Sequence, residues 1–196
     1  MPEAKPSEPF EPGPGDALIV VDVQKDFLPG GALGVQSGDE VIEPLNRAIE
    51  AFERTRQPIF LSRDWHPADH CSFKAQGGPW PPHCIAGSAG AGFAKQLRVP
   101  PSAIVISKAT TPERDAYSAF QGTTLSAQLR AAGVRRVLVG GLATDYCVRA
   151  TVLDARREGF DVHVLAEAVR AVEVRPGDGA RALQEMRQSG AQLTRY

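Results

Sequence analysis

Short runs of apolar, mostly β-branched residues alternate along the chain with stretches in which apolar residues repeat every three or four positions. The apolar runs are continuous, which is typical of strands covered on both faces, and they lie at residues 17–21, 58–62, 103–107, 136–140 and 161–165. The helical stretches lie at residues 41–52, 125–132, 145–158 and 177–189. This alternation predicts a three-layer αβα fold, with a mainly parallel sheet of about six strands and helices on both faces.

Two segments fall outside this alternation. Residues 1–16 contain five prolines, four acidic residues and a single large apolar residue, Phe10, so we expect a flexible tail. Residues 17–196 are then predicted to form one domain. Residues 63–102 show little periodicity and are rich in Pro, Gly, His and Trp, and a loop of this length in a compact domain is usually functional.

Composition narrows the functional classes. The chain has 196 residues, with 22 Lys and Arg against 23 Asp and Glu, so its net charge of −1 offers no general attraction to nucleic acid or an anionic membrane. No apolar run reaches the roughly 18 residues of a membrane helix, and three cysteines are too few for a disulfide scaffold. We therefore expect a soluble cytoplasmic protein with neither a nucleic-acid nor a membrane partner; a homo-oligomer is compatible with the sequence.

Reactive side chains follow four of the predicted strands. Asp22 follows the first, Asp64 and His66 the second, Lys108 the third, and Cys147 lies shortly after the fourth. In open parallel sheets, ligands gather beyond the carboxyl ends of the strands. The sequence therefore predicts that these five side chains converge at one edge of the sheet.

Cys147 lies where a glycine-rich turn leads into the third predicted helix. In a first helical turn, the helix dipole would lower the pKa of the thiol, and backbone N–H groups could stabilise an oxyanion. A buried cysteine can also be a small apolar residue with no chemistry. Asp22 is the candidate proton acceptor and Lys108 its charged partner, although these two could equally form a structural ion pair.

A second cluster has the composition of a metal site. Asp64 and His66 are two residues apart on an extended chain, and His70 and His83 follow in the same long loop. One carboxylate with two or three imidazoles suits Zn²⁺, Fe²⁺ or Mn²⁺, whereas loop histidines taken alone are more often solvated. The fourth histidine, His163, lies inside a predicted strand and is interpreted as structural.

Several aromatic residues lie in predicted loops rather than on the regular elements: Phe27, Trp65, Trp80, Tyr117 and Phe120. Any one of them could be a hydrophobic plug. Together, around a site at the strand ends, they could form the walls of a pocket for a flat aromatic ligand.

From about residue 17 to residue 193 the chain resembles the isochorismatase-like cysteine hydrolases, and among them the nicotinamidases. Four segments carry the resemblance: Val21–Phe27 (VDVQKDF), Asp64–Phe73 (DWHPADHCSF), Trp80–Cys84 (WPPHC) and Gly141–Val148 (GLATDYCV). Lys108 and the segment Asp115–Phe120 (DAYSAF) lie between them in the expected order. The first and last segments are typical of the whole superfamily, whereas the two histidine segments distinguish the nicotinamidases from metal-free relatives.

The resemblance implies roles for individual residues. Cys147 would be the nucleophile, Asp22 the general base and later acid, and Lys108 its charged partner. The backbone N–H groups of Ala143 and Cys147 would form the oxyanion hole, with a cis peptide bond before Ala143. The implied metal ligands are Asp64, His66 and His83, with His70 as an additional or water-bridged ligand. The implied substrate-binding residues are Phe27, Trp80, Tyr117 and Leu142.

The activity implied by the resemblance is hydrolysis of nicotinamide to nicotinate and ammonia through a cysteine thioester, in the salvage of NAD. Pyrazinamide would be a second substrate. One divalent metal, zinc with iron or manganese as alternatives, would orient the pyridine nitrogen. Three rivals stay open: a related hydrolase of carbamoyl or ureido compounds, a non-haem iron oxygenase, and a non-catalytic binding domain.

Overall fold

The structure is a computed structural model that describes residues 10–195. Within that range, six strands form one parallel sheet in the order β3-β2-β1-β4-β5-β6. The strands are β1 (Asp16–Val21), β2 (Ile59–Asp64), β3 (Ile104–Lys108), β4 (Arg136–Leu142), β5 (Asp161–Arg170) and β6 (Gln192–Thr194). The helices are α1 (Ile42–Arg54), α2 (Leu125–Ala131), α3 (Arg149–Arg157) and α4 (Asp178–Gln188).

Two apolar cores lie on opposite faces of this sheet. Successive residues of a strand point to opposite faces, so Leu18 and Val20 pack towards α1, whereas Ile19 and Val21 pack towards the other three helices. All six residues of β1 are buried, which explains its continuous apolar run. The predicted three-layer fold with a parallel sheet is therefore confirmed. A parallel sheet also differs from the antiparallel double-sheet barrel that is usual for the oxygenase rival.

The boundaries differ from the prediction in three places. β6 is an additional strand of three residues, and β5 continues five residues past its predicted end to Arg170. The third predicted helix begins differently, because residues Thr144–Val148 form a π-helical turn and α3 starts only at Arg149. Cys147 therefore lies inside an irregular turn rather than in the first turn of an α-helix.

The predicted tail is described only from Phe10 onward, and residues 1–9 lie outside the described range. The Phe10 ring lies 5.9 Å from the ring of His163 and 4.6 Å from the Arg136 guanidinium. Asp16 is the first residue of β1 and forms a two-pronged ion pair with Arg136, at 2.7 and 2.8 Å. The described end of this segment thus packs on the sheet.

The connection between β2 and β3, residues 65–103, contains only a short 3-10 helix (Lys74–Gln76) and isolated β-bridges. Side chains from the segment after β1 hold it in place: Gln24 donates to the carbonyl of Ala91, and Asp26 accepts from the N–H of Cys84. The predicted long loop is thus packed against the carboxyl end of the sheet. None of the helices in the described range is both long and apolar enough to cross a membrane.

Candidate active site

Three predicted residues, Asp22, Asp64 and Cys147, surround the ammonium of Lys108. The carboxyl ends of β1, β2 and β3 and the turn after β4 bring these four residues together. Lys108 Nζ lies 3.0 Å from Asp22 Oδ2 and 3.5 Å from Cys147 Sγ, and it donates hydrogen bonds to Asp64 Oδ1 and to the carbonyl of Ala116. Lys108 is 1% exposed. Burial alone would lower the pKa of Lys108, but Asp22 and Asp64 raise it well above its usual value, so the side chain is a permanent cation.

The two carboxyl oxygens of Asp22 differ in their contacts. Ser62 Oγ donates to Asp22 Oδ1 at 2.6 Å, whereas no described residue donates a hydrogen bond to Oδ2, although Lys108 is within ion-pair distance. Burial raises the pKa of Asp22, an effect that Lys108 opposes and Asp64 reinforces. Carboxyl oxygens of Asp22 and Asp64 lie within 4.8 Å of Cys147 Sγ. Asp22 Oδ2 is therefore placed to accept the thiol proton.

The thiol of Cys147 is protonated in the resting site. Burial raises its pKa well above the usual value; Lys108 acts in the opposite direction, and Asp22 and Asp64 add to the rise. The prediction that a helix N-terminus lowers this pKa is therefore wrong, because the residue is buried beside two carboxylates and lies in the π-helical turn before α3. A thiol held protonated in this way needs a base before it can act as a nucleophile, and a carboxyl oxygen of Asp22 lies within 4.8 Å of it.

The backbone before Cys147 has the geometry that the resemblance implied. The peptide bond between Leu142 and Ala143 is cis. The carbonyl of Ala143 accepts from the N–H groups of Tyr146 and Val148, both at 3.1 Å, which fixes the turn. Ala143 and Cys147 both line the same pocket. The structure thus places both predicted oxyanion-hole residues at one wall.

Three predicted metal ligands meet at the same pocket, where one of them, Asp64, also lies beside Cys147. Ligand atoms of Asp64, His66 and His83 all lie within 4.8 Å of one another, and all three residues are buried. His66 Nδ1 lies 3.0 Å from the carbonyl of His83, and His83 Nδ1 lies 2.8 Å from the carbonyl of Pro81. A carbonyl can only accept, so both Nδ1 atoms carry the proton and both Nε2 lone pairs are left for a metal.

The electrostatics of this trio suit a divalent cation. Burial lowers the pKa of His66 to about 4, so that the imidazole is neutral at neutral pH. One carboxylate with two imidazoles is a donor set for a divalent transition metal. Cys84, next to His83, is not among the residues whose ligand atoms meet in this trio, and burial raises the pKa of its thiol.

His70 is placed differently from the other predicted ligands. Its Nε2 donates to the carbonyl of Arg114 at 3.0 Å, and its Nδ1 lies 2.7 Å from Ser72 Oγ and 3.3 Å from the Ser72 nitrogen. The His70 ring stacks on His66 with centroids 4.3 Å apart. His70 thus lies outside the group of Asp64, His66 and His83, but ligand atoms of His66, His70 and Asp115 also lie within 4.8 Å of one another. The part of His70 as an additional or water-bridged ligand stays a prediction.

Three of the four predicted substrate-binding residues line the pocket: Phe27, Trp80 and Tyr117. Trp80 Nε1 donates to Tyr117 Oη at 3.0 Å, and the ring of Tyr146 lies within 5.1 and 5.5 Å of these two rings. The fourth, Leu142, is not among the described lining residues, because it is 1% exposed and packs in the apolar core on the α1 side. The lining residues that sequence reasoning missed are Leu33, Ser72, Asp115, Ala116, Tyr146 and Val172.

The other two loop aromatics lie elsewhere. Trp65 stacks under the guanidinium of Arg63 at 3.7 Å, and Phe120 packs near Phe160 with ring centroids 6.2 Å apart. Neither contributes to the described lining of the pocket.

Gln24 holds the backbone of the site in place, although the sequence pattern did not single it out. Its Nε2 donates to the carbonyl of Asp64 and its Oε1 accepts from the Asp64 N–H, both at 2.8 Å. β1 pairs with β2 only as far as Val21 and Ser62. Two residues further along β2, the Gln24 carboxamide makes the hydrogen bonds that a neighbouring strand would otherwise make. It thereby fixes the backbone from which the Asp64 carboxylate projects.

Comparison with known proteins gives a consistent picture. The isochorismatase domain model matches residues 16–196. A nicotinamidase of Escherichia coli (strain K12) is 39% identical over 92% of this chain and 94% of its own length. The crystal structure of Pyrococcus horikoshii pyrazinamidase in complex with zinc has 48% identity and a TM-score of 0.90, covering 93% of this chain and all of that one. PnC1 from L. infantum, in complex with nicotinate, has 39% identity and a TM-score of 0.86, covering 93% of both chains.

Proposed function

Because the chain belongs to the isochorismatase family, we propose that it is an amidohydrolase that converts nicotinamide to nicotinate and ammonia. One observation carries the proposal. Cys147 and the metal-ligand trio (Asp64, His66, His83) line one pocket with aromatic walls, and Lys108, which contacts Asp22 and Cys147, is bonded to Asp64. A cysteine hydrolase of ureido compounds needs no cation site beside its nucleophile, because a ureido group offers no pyridine nitrogen for the cation to bind. Nicotinamide has such a nitrogen, meta to its carboxamide.

The pocket fits a flat heteroaromatic amide. Phe27, Trp80, Tyr117 and Tyr146 supply apolar ring surface, and Cys147 and the metal-ligand trio supply polar groups. A divalent metal bound at Asp64, His66 and His83 would supply a Lewis acid for the pyridine nitrogen. The carboxamide, which is meta to that nitrogen, would then be directed to Cys147, an orientation effect that makes the attack effectively unimolecular.

Acylation begins with transfer of the Cys147 thiol proton to Asp22 Oδ2. The sulfur forms a bond to the carboxamide carbon, and the electron pair of the C=O bond moves to oxygen, where the N–H groups of Ala143 and Cys147 stabilise it. When the oxyanion collapses, the C–N bond breaks and Asp22 returns its proton to the departing nitrogen, which leaves as ammonia. Lys108 stays charged throughout and stabilises the thiolate and the Asp22 carboxylate in turn.

Deacylation repeats the sequence with water. Asp22 accepts a proton from a water molecule while the oxygen of that water attacks the thioester carbon. The C–S bond then breaks, nicotinate leaves, and the thiolate takes the proton back from Asp22. The raised pKa values of Cys147 and Asp22 suit this cycle, because both groups hold a proton in the resting or intermediate states.

We propose zinc as the metal. The carboxylate and two imidazoles are typical zinc ligands, and the P. horikoshii relative was solved with zinc. Iron and manganese are the alternatives that elemental analysis of the purified protein would reveal. Pyrazinamide is the expected second substrate, since a ring nitrogen occupies the same place. A cytoplasmic location, a homo-oligomer and a place in NAD salvage stay predictions.

A substrate panel tests the proposal. The purified enzyme is given nicotinamide, pyrazinamide, benzamide and a ureido compound at equal concentration, and ammonia release is followed. We expect rapid release from the first two and little from benzamide, which has the same shape but lacks the ring nitrogen. Release from the ureido compound with none from nicotinamide would overturn the proposed substrate, and equal rates with benzamide would overturn the role of the metal site in orientation.

A further inference from the structure

The peptide group that joins His83 to Cys84 is hydrogen-bonded at both ends. Its N–H donates to Asp26 Oδ2 at 2.7 Å, and its carbonyl accepts from His66 Nδ1 at 3.0 Å. The backbone N–H of His66 in turn donates to the carbonyl of Cys84 at 3.0 Å. One peptide group therefore connects a carboxylate to the imidazole of a metal-ligand residue.

A peptide group transmits polarisation, because its nitrogen, carbon and oxygen are conjugated. A carboxylate that accepts from the N–H draws the peptide dipole towards itself and makes the carbonyl oxygen a stronger acceptor, and hydrogen bonds in such chains strengthen one another. At His66, a stronger acceptor for Nδ1–H fixes the tautomer and increases electron density at Nε2. Direct carboxylate–histidine contacts are known to tune metal sites in this way.

We propose that Asp26 is a positioning residue for the metal site, acting through the His83–Cys84 peptide group on His66. This carboxylate–peptide–imidazole chain consists of Asp26, the His83–Cys84 peptide group and His66. Asp26 also holds the backbone of His83, so that one carboxylate fixes two of the three ligand residues. The inference rests on the metal site of the proposed function.

The surroundings of Asp26 show that its place is closely defined. Its backbone N–H donates to the carbonyl of Gly90 at 3.0 Å, and a Cβ added at Gly90 would come within 2.1 Å of Asp26 Oδ1. Only a glycine therefore allows the loop to lie against this carboxylate. Oδ1 has a long contact of 3.5 Å from the N–H of Ala32, so Cys84 is the principal hydrogen-bond donor to the carboxylate.

The test separates the charge of Asp26 from its shape. Asp26→Asn keeps the size and an oxygen that can accept from Cys84 but removes the charge, whereas Asp26→Ala removes both. Asp39→Asn, at an exposed position on the same stretch of chain, is the matched control. Each protein is stripped of metal and titrated with Co²⁺ against a competing chelator, and the visible absorption of bound Co²⁺ reports on the ligand field.

We expect Asp26→Asn to bind Co²⁺ about tenfold more weakly, and Asp26→Ala up to about 100-fold more weakly, with a shifted absorption band. Asp39→Asn should match the wild type in both affinity and spectrum. An Asp26→Asn protein with wild-type affinity and an unshifted band would overturn the proposal. These readouts need no nicotinamide. If the wild type does not hydrolyse nicotinamide but Asp26→Asn binds Co²⁺ more weakly than the wild type, the result would contradict the proposed function and support the carboxylate–peptide–imidazole chain.

A measurement on the unaltered protein covers the case in which the variants do not fold. In metal-free protein labelled with ¹³C,¹⁵N-histidine, NMR should show the proton of His66 on Nδ1, with a coupling across the hydrogen bond to the ¹³C of the His83 carbonyl. A proton on Nε2 in the metal-free state would overturn the proposal, since no chain through the peptide group would then exist.

Discussion

Lys108 is the residue on which both halves of the site depend. It is a fully buried ammonium in contact with two carboxylates, and it lies 3.5 Å from the Cys147 sulfur. Removing such a cation leaves Asp22 and Asp64 buried beside each other without compensation. We therefore expect the same side chain to be required for the stability of the fold and for the proposed chemistry of Cys147.

Lys108→Met should lower the free energy of unfolding by about 3–5 kcal/mol, because breaking a buried ion pair strands the charges left behind. Nicotinamide turnover should be lost as well. Urea denaturation measures the first effect and ammonia release the second. Lys95→Met, at an exposed position, is the control and should change stability by no more than about 0.5 kcal/mol. A Lys108→Met protein as stable as this control would refute the account of the buried cluster.

The hydrogen bond between Trp80 and Tyr117 is the residue contact that shapes the aromatic wall. Trp80→Phe and Tyr117→Phe each keep an aromatic ring and remove that bond, which is worth about 0.5–1.5 kcal/mol. We expect KM for nicotinamide to rise roughly 2- to 10-fold in each variant, with kcat nearly unchanged. The KM of the double variant should not exceed the higher of the two single-variant values. A fall in kcat at constant KM would show instead that the pair acts on the chemical step.

At the scale of the elements, apolar patterning predicted the order of strands and helices but not the irregular pieces. β6 was missed because it has only three residues, of which only Leu193 is a large apolar one. The π-helical turn at Thr144–Val148 has no periodicity of its own, so the sequence predicted a continuous helix there. The prediction for the Cys147 pKa was wrong mainly because the thiol is buried and because Asp22 and Asp64 lie beside it, which the helical pattern does not report.

The predicted site residues came from side chains that follow strands, a signal that works because parallel strands end at one edge. Gln24 and Asp26 gave no such signal. They act through hydrogen bonds to backbone groups 40 and 58 positions away, and neither periodicity nor residue type reports such contacts. Leu142 was predicted to bind substrate but is buried in the core on the α1 side of the sheet. The sequence does not show which face of the sheet a side chain at the end of β4 occupies.

His163 on β5 gives a prediction on pH at the element scale. Its Nδ1 contacts Thr194 Oγ1 of β6 at 2.9 Å. Burial lowers its pKa, and the nearby Arg136 lowers it further. The unfolded chain therefore takes up the proton first as pH falls below about 6.5, so the folded state loses stability there and is unaffected above neutral pH.

His163→Gln keeps a polar side chain that can reach Thr194 but cannot titrate. Urea denaturation at pH 7.5 and at pH 5 should show a smaller loss of unfolding free energy for the variant than for the wild type. The other three histidines are common to both proteins, so their contributions cancel in the comparison. Equal losses would show that His163 has no part in the pH dependence.

In the molecule as a whole, the long connection between β2 and β3 supplies His66 and His83, and a metal bound there would join this connection to Asp64 at the end of the sheet. A ligand that binds only the folded state stabilises it by mass action, by about 2.7 kcal/mol at 100 times its Kd. We therefore expect a chelator to abolish nicotinamide turnover and to lower the midpoint of thermal unfolding, with zinc restoring both. His66→Ala should melt at the same temperature with and without chelator. A wild-type midpoint that does not respond to the chelator would contradict a metal at these residues.

The central claim is that Cys147 performs the hydrolysis of nicotinamide, and a comparison of wild type with Cys147→Ala tests it most directly. Both proteins, loaded with the same metal content and shown by circular dichroism to be folded, are given nicotinamide, and ammonia is measured. The account predicts steady release by the wild type and none above background by the variant. Release by Cys147→Ala at a rate near that of the wild type would contradict it.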